Sequence, residues 1–134
     1  MSDTKLANRI VNAERSLRRL EEAAELPLDE RRINLDATVH RFNTAFETLL
    51  KALDTRLQSV HRLSAEERGR SKFELLQAGF RMGLIDDDRV WTRIRKARNA
   101  TVHEYDLEKA MALYREIKDH VPHLRALLER IRAN

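Results

Sequence analysis

The residues best suited to chemistry lie in one short segment of the chain. Arg98, His103 and Tyr105 fall within eight residues, at the end of a basic run that begins at Arg89. Arginine offers a planar fork of donors that matches phosphate, and histidine can accept or release a proton near neutral pH. Tyrosine adds a hydroxyl that can be modified, or a ring that can stack on a base. The combination suits a site that binds phosphate and transfers protons.

The spacing of Arg98 and His103 does not bring them together on one helix. Five residues at about 100° each separate the two side chains by about 140° around the axis. They can meet if the helix ends near Thr101 and the loop turns His103 back, or if they approach each other across a dimer. Alternatively, His103 is a cation favoured by a helix C-terminus, beside an ordinary surface arginine. Spacing alone leaves these interpretations open.

The basic run is the densest concentration of charge in a chain with a formal net charge of +4. Such a cluster attracts phosphates and steers nucleic acid, and a solvated helix face is the alternative interpretation. On a helix, Arg95 shares the flank of Trp91, whereas Arg93 and Lys96 lie on the opposite flank. We therefore expect two basic patches, with Arg95, Arg93 and Lys96 as candidate RNA or phosphate ligands.

Helices must position these residues. The chain has 134 residues, of which 42% are hydrophobic and 36% are charged, with only 3 Gly and 2 Pro. A chain so poor in helix breakers is typical of an all-α protein, and its length predicts one domain over residues 1–134. It has no cysteine, which excludes disulfides, thiol catalysis and cysteine-based metal sites.

Apolar spacing predicts an up-and-down bundle of about five helices. The first helix is expected to start at Ser2 or Asp3 and to stop at Pro27. The second starts near Asp29 and reaches Val60, a length of about 45 Å that exceeds a small domain. Part of this long helix is therefore expected to contact a partner. Residues 62–71 are predicted to form a loop.

The remaining three helices are predicted from caps and breakers. The third follows Ser71, ends near Gly83 and is expected to bury four residues, namely Phe73, Leu76, Phe80 and Met82. The fourth begins at the acidic triplet 86–88. Its apolar stripe comprises Val90, Ile94, Ala97 and Thr101. Trp91 lies on the flank of this stripe, either as a core anchor or as a base-stacking surface. The fifth begins at Asp106 and is expected to kink or restart at Pro122.

The segment from Arg98 to Tyr105 resembles the R-x-x-x-x-H-x-Y signature of HEPN domains that are paired with minimal nucleotidyltransferases. Asn99 directly after Arg98 also fits this pattern. The resemblance extends over roughly residues 33–131, to the nucleotidyltransferase substrate-binding branch of these proteins. It includes Asp36 to Leu50 with Lys51 just beyond, the stretch Ala78-Gly79-Phe80, the stretch Gly83-Leu84-Ile85-Asp86-Asp87, and Trp91.

The resemblance implies a HEPN-like helical bundle that forms a homodimer and has a cognate minimal nucleotidyltransferase as its antitoxin partner. In the toxin members, Arg98 and His103 would be catalytic for RNA cleavage without a metal or cofactor, with Asn99 supporting them. Tyr105 would accept AMP from the partner, which would silence the toxin. Glu47 would face the active cleft in a supporting role; alternatively, it pairs with Lys51 on the helix surface.

Two other functions remain as alternatives to this endoribonuclease toxin. The chain can be a non-catalytic substrate-binding subunit of a two-component nucleotidyltransferase, or a helical interaction module without chemistry. It is not expected to be the nucleotidyltransferase itself, because that catalyst needs a Gly-Ser turn. None of the three glycines, Gly69, Gly79 and Gly83, is followed by a serine.

Metal, membrane and export functions are not expected. Asp119, His120 and His123 surround Pro122 and could hold a metal, but a helix kink explains their proximity better. No stretch approaches the roughly 20 apolar residues needed to cross a bilayer. The first residues lack an apolar signal core. The sequence therefore predicts a cytoplasmic protein without membrane contact.

Overall fold

The computed structural model describes residues 2–27, 33–98 and 106–133, which form six α-helices and no strand. In chain order, the helices are α1 (Ser2–Glu25), α2 (Ile33–Ser59), α3 (Ala65–Arg68), α4 (Lys72–Arg81), α5 (Asp88–Ala97) and α6 (Leu107–Arg132). This confirms the all-α prediction. The five expected helices are present, together with a single extra turn, α3.

The core is built around α2, which packs against α1, α6 and α4. Helices α1 and α6 also contact each other, and α5 lies against α4 and α6. The rings of Phe46 on α2 and Trp91 on α5 lie 6.5 Å apart. Trp91 is buried, so it anchors α5 to the core. Of the two roles considered for Trp91, the structure therefore supports the core anchor.

Charged side chains reinforce the contact between α1 and α6. Arg125 binds the carboxylates of Glu14 at 2.8 Å and Glu21 at 2.6 Å, and Arg132 binds Glu14 at 2.7 Å. The hydrogen bond from Arg125 is the largest influence on Glu14, and together with Arg132 it outweighs burial and lowers the pKa of Glu14 to about 2. Two acidic residues of α1 are thus neutralised on the side that faces α6.

The end of α1 is bound by a residue of α6. The Tyr114 hydroxyl donates to the carbonyl of Ala23 at 3.0 Å and also lies against the carbonyl of Leu26. Carbonyls in the last turn of a helix lack intrahelical donors. Burial raises the pKa of Tyr114, so its hydroxyl keeps its proton. The hydroxyl therefore provides a hydrogen-bond donor for carbonyls at the end of α1, just before Pro27, where the helix was expected to stop.

The predicted helix starts are confirmed where a side chain caps the helix. Ser71 accepts a hydrogen bond from the backbone N–H of Glu74, and Asp106 accepts one from that of Lys109. Asp87 accepts from the first turn of α5. Gly83 has a φ of +79°, the left-handed conformation expected beyond the end of α4. The expected start of α2 near Asp29 lies outside the described residues.

Residues 62–71 do not form one continuous loop as predicted. Ser64 and Glu67 form a reciprocal capping box around α3. The hydroxyl of Ser64 accepts from the Glu67 backbone, and the Glu67 carboxylate accepts from the Ser64 backbone. A serine followed three residues later by glutamate is a known start signal. The sequence therefore contained the evidence for this turn.

The buried face of α4 differs from the predicted one. Leu76 is buried, but Phe73, Phe80 and Met82 are 46%, 43% and 37% exposed. The helix turns its small residues, Ala78 and Gly79, toward the core instead. A Cβ at Gly79 would lie 3.2 Å from the side chain of Leu53 on α2. Close approach at the small residues therefore decides which face is buried, and hydrophobicity alone misassigns it.

Two smaller expectations are also corrected. The second helix was expected to reach Val60, but Val60 is 48% exposed and lies beyond the end of α2. Val90 is only partly buried, because the buried face of α5 is centred on Trp91, Ile94 and Ala97. Of the kink or restart expected at Pro122, the restart does not occur, because Pro122 lies inside one continuous helix. Packing along both halves of α6 outweighs the hydrogen bond that proline cannot donate.

Candidate functional site

Arg98 is positioned by the C-terminus of α5. Its backbone N–H donates to the carbonyl of Ile94 at 3.2 Å, so the backbone continues the helical path for one more residue. Ile94 and Ala97 are buried and hold this end of the helix on the core. The side chain of Arg98 is only 31% exposed. The guanidinium is therefore held against the protein rather than extended into solvent.

The carboxylate of Glu47, in the middle of α2, receives the Arg98 guanidinium. Nε of Arg98 lies 2.7 Å from Oε1 of Glu47, and Nη2 lies 2.6 Å from the same oxygen. Nζ of Lys72, the first residue of α4, lies 3.1 Å from that oxygen as well. Three helices therefore bring two cations to one carboxylate, which leaves a local net charge of +1.

The electrostatics keep Glu47 ionised. Burial is the largest single influence and opposes ionisation, but the hydrogen bond from Lys72 and the charges of Arg98 and Lys72 together outweigh it. The pKa of Glu47 therefore lies below its usual value. One of the two interpretations of Glu47 was a surface pair with Lys51. The carboxylate of Glu47 instead binds Arg98. Lys72 is a member of this cluster that sequence reasoning missed.

A shallow cleft of about 280 Å³ opens beside the cluster, between α2 and the start of α4. Its lining includes Lys51, Arg70, Ser71 and Lys72. A carboxylate in this lining, that of Asp54, is neutralised by Arg68 at 2.7 Å. The cleft therefore carries three cations, Lys51, Arg70 and Lys72, beside two leucines and the Glu47 carboxylate that holds Arg98, and its cations can attract a phosphate group.

Two of the other candidate phosphate ligands, Arg95 and Arg93, border different clefts, as the helical projection predicted. The guanidinium of Arg95 lies 5.4 Å from the ring centre of Phe73, in a cleft of about 290 Å³ that Trp91 also lines. Arg93 borders a different cleft with His120 and His123 on α6. Lys96 is exposed. Arg95 is thus on the side of the Arg98 cluster, while Arg93 faces away from it.

His120 has a structural explanation. Its ring stacks on that of Phe42 at 6.3 Å, and its Nε2 lies 3.3 Å from the carboxylate of Glu116. Burial lowers the pKa of His120, which favours the neutral ring. Among the residues that the structure describes, no group of three or more His, Asp or Glu side chains could hold a metal ion.

His103, Asn99 and Tyr105 lie outside the described residues, so their predicted roles remain predictions. The described chain ends at Arg98 on one side of this segment and resumes at Asp106, which caps α6. Within the three described ranges, none of the helices combines the length and the apolarity that crossing a bilayer requires.

Comparison with known proteins identifies the family. Residues 8–133 match the family model described as "Nucleotidyltransferase substrate binding protein like". The chain belongs to this family. The match covers nearly the whole sequence, including α2, α5 and the segment from Arg98 to Tyr105, and it confirms the resemblance inferred from the motifs.

Among the proteins similar to this chain, one is described as a probable ribonuclease and another as a substrate binding domain of a nucleotidyltransferase. A Haemophilus influenzae protein described as "Probable ribonuclease HepT" is 36% identical over 95 residues. That alignment covers 70% of this chain and 64% of the relative, so the chain spans somewhat under two thirds of the relative's length. The similarity supports the HEPN assignment in general terms.

Solved structures confirm the helical fold. A Thermus thermophilus protein has a TM-score of 0.76 at 29% identity, with 90% of this chain and 99% of the other covered. A Haemophilus influenzae protein has a TM-score of 0.67 at 26% identity, with 99% and 100% covered. The latter structure is described as revealing the fold of a substrate binding domain of a nucleotidyltransferase.

Proposed function

We propose that this chain is a HEPN-type ribonuclease that cleaves RNA without a metal ion, with Arg98 and His103 as its catalytic residues. The observation that carries the proposal is the Glu47–Arg98–Lys72 cluster. Glu47 orients the motif arginine at the end of α5 by two short hydrogen bonds, five residues before the motif histidine. An arginine held in this way, beside a basic cleft, is prepared to receive a phosphate.

The reaction needs no group beyond the RNA, these side chains and solvent water. The ribose 2′-oxygen attacks the adjacent phosphorus while His103 takes its proton, the bond to the 5′-oxygen of the next nucleotide breaks, and water protonates that oxygen. Alternatively, water takes the proton of the 2′-hydroxyl and His103 gives a proton to the leaving oxygen. Arg98 stabilises the negative charge that grows on the phosphorane. Asn99 supports the site, and the products are a 2′,3′-cyclic phosphate and a 5′-hydroxyl.

A homodimer is part of this proposal. On a continuous helix, Arg98 and His103 would point about 140° apart, and two copies can supply the missing partner to each other. We expect a dimer at micromolar concentration in light scattering. A monomer that still cleaves RNA would show that the segment between Arg98 and Asp106 completes the site within one chain.

Tyr105 is the proposed site of control by a cognate minimal nucleotidyltransferase. Transfer of AMP from ATP to its hydroxyl, with release of pyrophosphate, adds a phosphate two residues from His103, where it competes with RNA for the cations of the site. Intact mass, measured on the chain expressed alone and with its nucleotidyltransferase, should show an added AMP that maps to Tyr105. An unchanged mass beside a stable complex would contradict this control.

The decisive test of the proposed function is RNA cleavage in the presence of EDTA. The unmodified wild type should release 2′,3′-cyclic phosphate ends, and Arg98→Ala should lower the rate by at least about 100-fold. Arg89→Ala is the matched control, since Arg89 is 90% exposed on the same helix and loses the same charge. Intact RNA with the wild type, or equal rates for Arg98→Ala and the control, would overturn the proposal.

A second candidate function is a non-catalytic subunit that holds a substrate for a separate nucleotidyltransferase. The family description and the second Haemophilus influenzae structure favour it. In that case, Arg98 and Lys72 would bind a phosphate or nucleotide without cutting. Binding of a nucleotide that is lost in Arg98→Ala, without RNA cleavage by the wild type, would support this alternative.

A further inference from the structure

Helix α1 carries a row of polar and basic side chains, the α1 stripe, that the candidate site does not use. At about 100° per residue, its members all lie within about 60° of Asn12 on one side of the helix. The cations of the stripe are Lys5, Arg9, Arg15 and Arg19, and the residues between them are Asn8, Asn12 and Ser16. The stripe contains no acidic and no apolar side chain.

The charges of α1 are separated by side. Glu14 and Glu21 lie about 180° from Asn12, where they bind Arg125 of α6. The described part of the chain shows ion pairs of α1 at Glu14, Arg18 and Glu21, and at no member of the α1 stripe. Two acids of α1, Glu14 and Glu21, are therefore engaged on the opposite side of the helix from the stripe.

The α1 stripe borders open clefts rather than a packed interface. A cleft of about 540 Å³ lies between α1 and α2, and its lining comprises Asn12, Arg15, Ser16, Arg19, His40, Arg41, Thr44 and Thr48. A second opening of about 400 Å³ continues from Asn12 toward Lys5 and Arg9. Arg41 is held at the far end, where its Nη1 donates to the carbonyl of Arg19 at 3.1 Å.

The shape of the stripe favours a polynucleotide over other anions. From Lys5 to Arg19, it extends about 21 Å at 1.5 Å per residue, which is too long for a single phosphate or a mononucleotide. Protein interfaces have apolar and aromatic residues at their centre, and the stripe has none. Repeated cations with interleaved amides and a hydroxyl match a chain of phosphodiesters, which proteins bind mainly through such groups.

Helix α2 connects the stripe to the candidate site. Thr48 lines the cleft beside α1, whereas its neighbour Glu47 faces Arg98 on the other flank of α2. The two surfaces are separated by the width of one helix, about 10 Å. A strand that lies along α1 therefore reaches Arg98 by crossing the exposed side of α2.

We propose that the α1 stripe, together with Arg41, binds the phosphodiester backbone of the RNA substrate and guides it across α2 to Arg98. This inference rests on the proposed ribonuclease function for the identity of the ligand. It assigns to α1 a binding role that is separate from the cleavage step, because the stripe and Arg98 lie on different flanks of α2.

The test measures binding without cleavage. The probe is a fluorescent single-stranded RNA of about 20 nucleotides with 2′-O-methyl riboses, which lack the attacking hydroxyl. Three proteins are compared by fluorescence anisotropy over a range of salt concentrations: the wild type, Arg9→Ala/Arg15→Ala/Arg19→Ala, and a control that loses the same charge, Arg62→Ala/Lys109→Ala/Lys118→Ala, whose three cations are exposed and lie outside the stripe. Thermal melts confirm that each variant is folded.

The stripe variant should bind at least about tenfold more weakly at low salt, and its salt slope should fall by about 2, because each lost phosphate contact on a single strand contributes about 0.7. The control should stay within about twofold of the wild type. Equal affinity and slope for the stripe variant, or an equal loss in the control, would overturn the inference even if RNA is cleaved. Stripe-dependent binding by a wild type that cleaves no RNA would instead refute only the proposed function.

Discussion

Replacement of Glu47 by glutamine tests whether this residue positions Arg98. The substitution keeps the size of the side chain but removes the negative charge that accepts both Arg98 donors. At a charge separation of about 4 Å and an effective dielectric constant of about 20, such a pair is worth about 4 kcal/mol. Both side chains are about one-third exposed, at 31% and 34%, so solvent screening reduces the contribution to about 1 kcal/mol.

A loss of about 1 kcal/mol lowers the equilibrium constant for correct placement of Arg98 about fivefold. We therefore expect the kcat for RNA cleavage to fall in Glu47→Gln, by about fivefold at most. The affinity for the 2′-O-methyl RNA should stay the same or increase, because a carboxylate beside the phosphate site is removed. Glu66→Gln is the control, since Glu66 loses the same charge on exposed α3.

Two results would refute this reasoning. An unchanged kcat in Glu47→Gln would mean that Arg98 is positioned without the carboxylate. A loss as large as that of Arg98→Ala would mean that Glu47 takes part in the chemistry itself. A parallel loss of kcat and RNA affinity, with a lower melting temperature, would indicate damage to the fold instead of the site.

Three further predictions concern the bundle. Glu14→Gln should lower the free energy of unfolding by about 1 to 2 kcal/mol at pH 7. Because the pKa of Glu14 is depressed to about 2, the wild type should lose this contribution to stability as the pH falls from about 4.5 to 2. If urea unfolding gave the same pH dependence for both proteins, this prediction would be wrong. Burial lowers the pKa of His120, so the wild type should lose stability as pH falls below about 6.5, and His120→Gln should show a smaller difference between urea midpoints at pH 7.5 and 5.5. Gly79→Val should lower the free energy of unfolding by about 1 to 3 kcal/mol, because valine overpacks against Leu53 and Ile85. Gly79→Ala should change it by less than about 1 kcal/mol, because better helix propensity offsets the close contact. Equal thermal melts for the two variants would show that α4 can shift away from α2.

Local signals in the sequence were sufficient for most helix boundaries. Ser71, Asp87 and Asp106 cap helices by contacts within three residues, and such contacts depend only on neighbouring sequence. The orientation of α4 could not be predicted in this way. Its buried face depends on the small residues that fit against Leu53 of α2, and periodicity gives greater weight to the larger side chains.

The candidate site was only partly predictable for the same reason. Glu47 and Arg98 are 51 residues apart, and the spacing of charged residues predicted a pair with Lys51 instead. Family resemblance, rather than local physics, placed Glu47 at the cleft. Nothing in the sequence pointed to Lys72, whose contact depends on how α4 docks. The α1 stripe, by contrast, follows helical periodicity and could have been recognised from the sequence.

The bond between Tyr114 and Ala23 joins residues 91 positions apart, and this separation constrains how the chain reaches its native state. During synthesis, α1 and α2 emerge first and can pair, but the side of α1 that binds α6 has no partner yet. The charges of Glu14 and Glu21 are likewise without their arginine until Arg125 has been made. Closing the bundle is therefore a late, non-local event, since contacts of such long range pay a large loop-closure entropy before they form. A ribosome that stalls within α6 would hold a helical hairpin with an open apolar face, which is a substrate for chaperones.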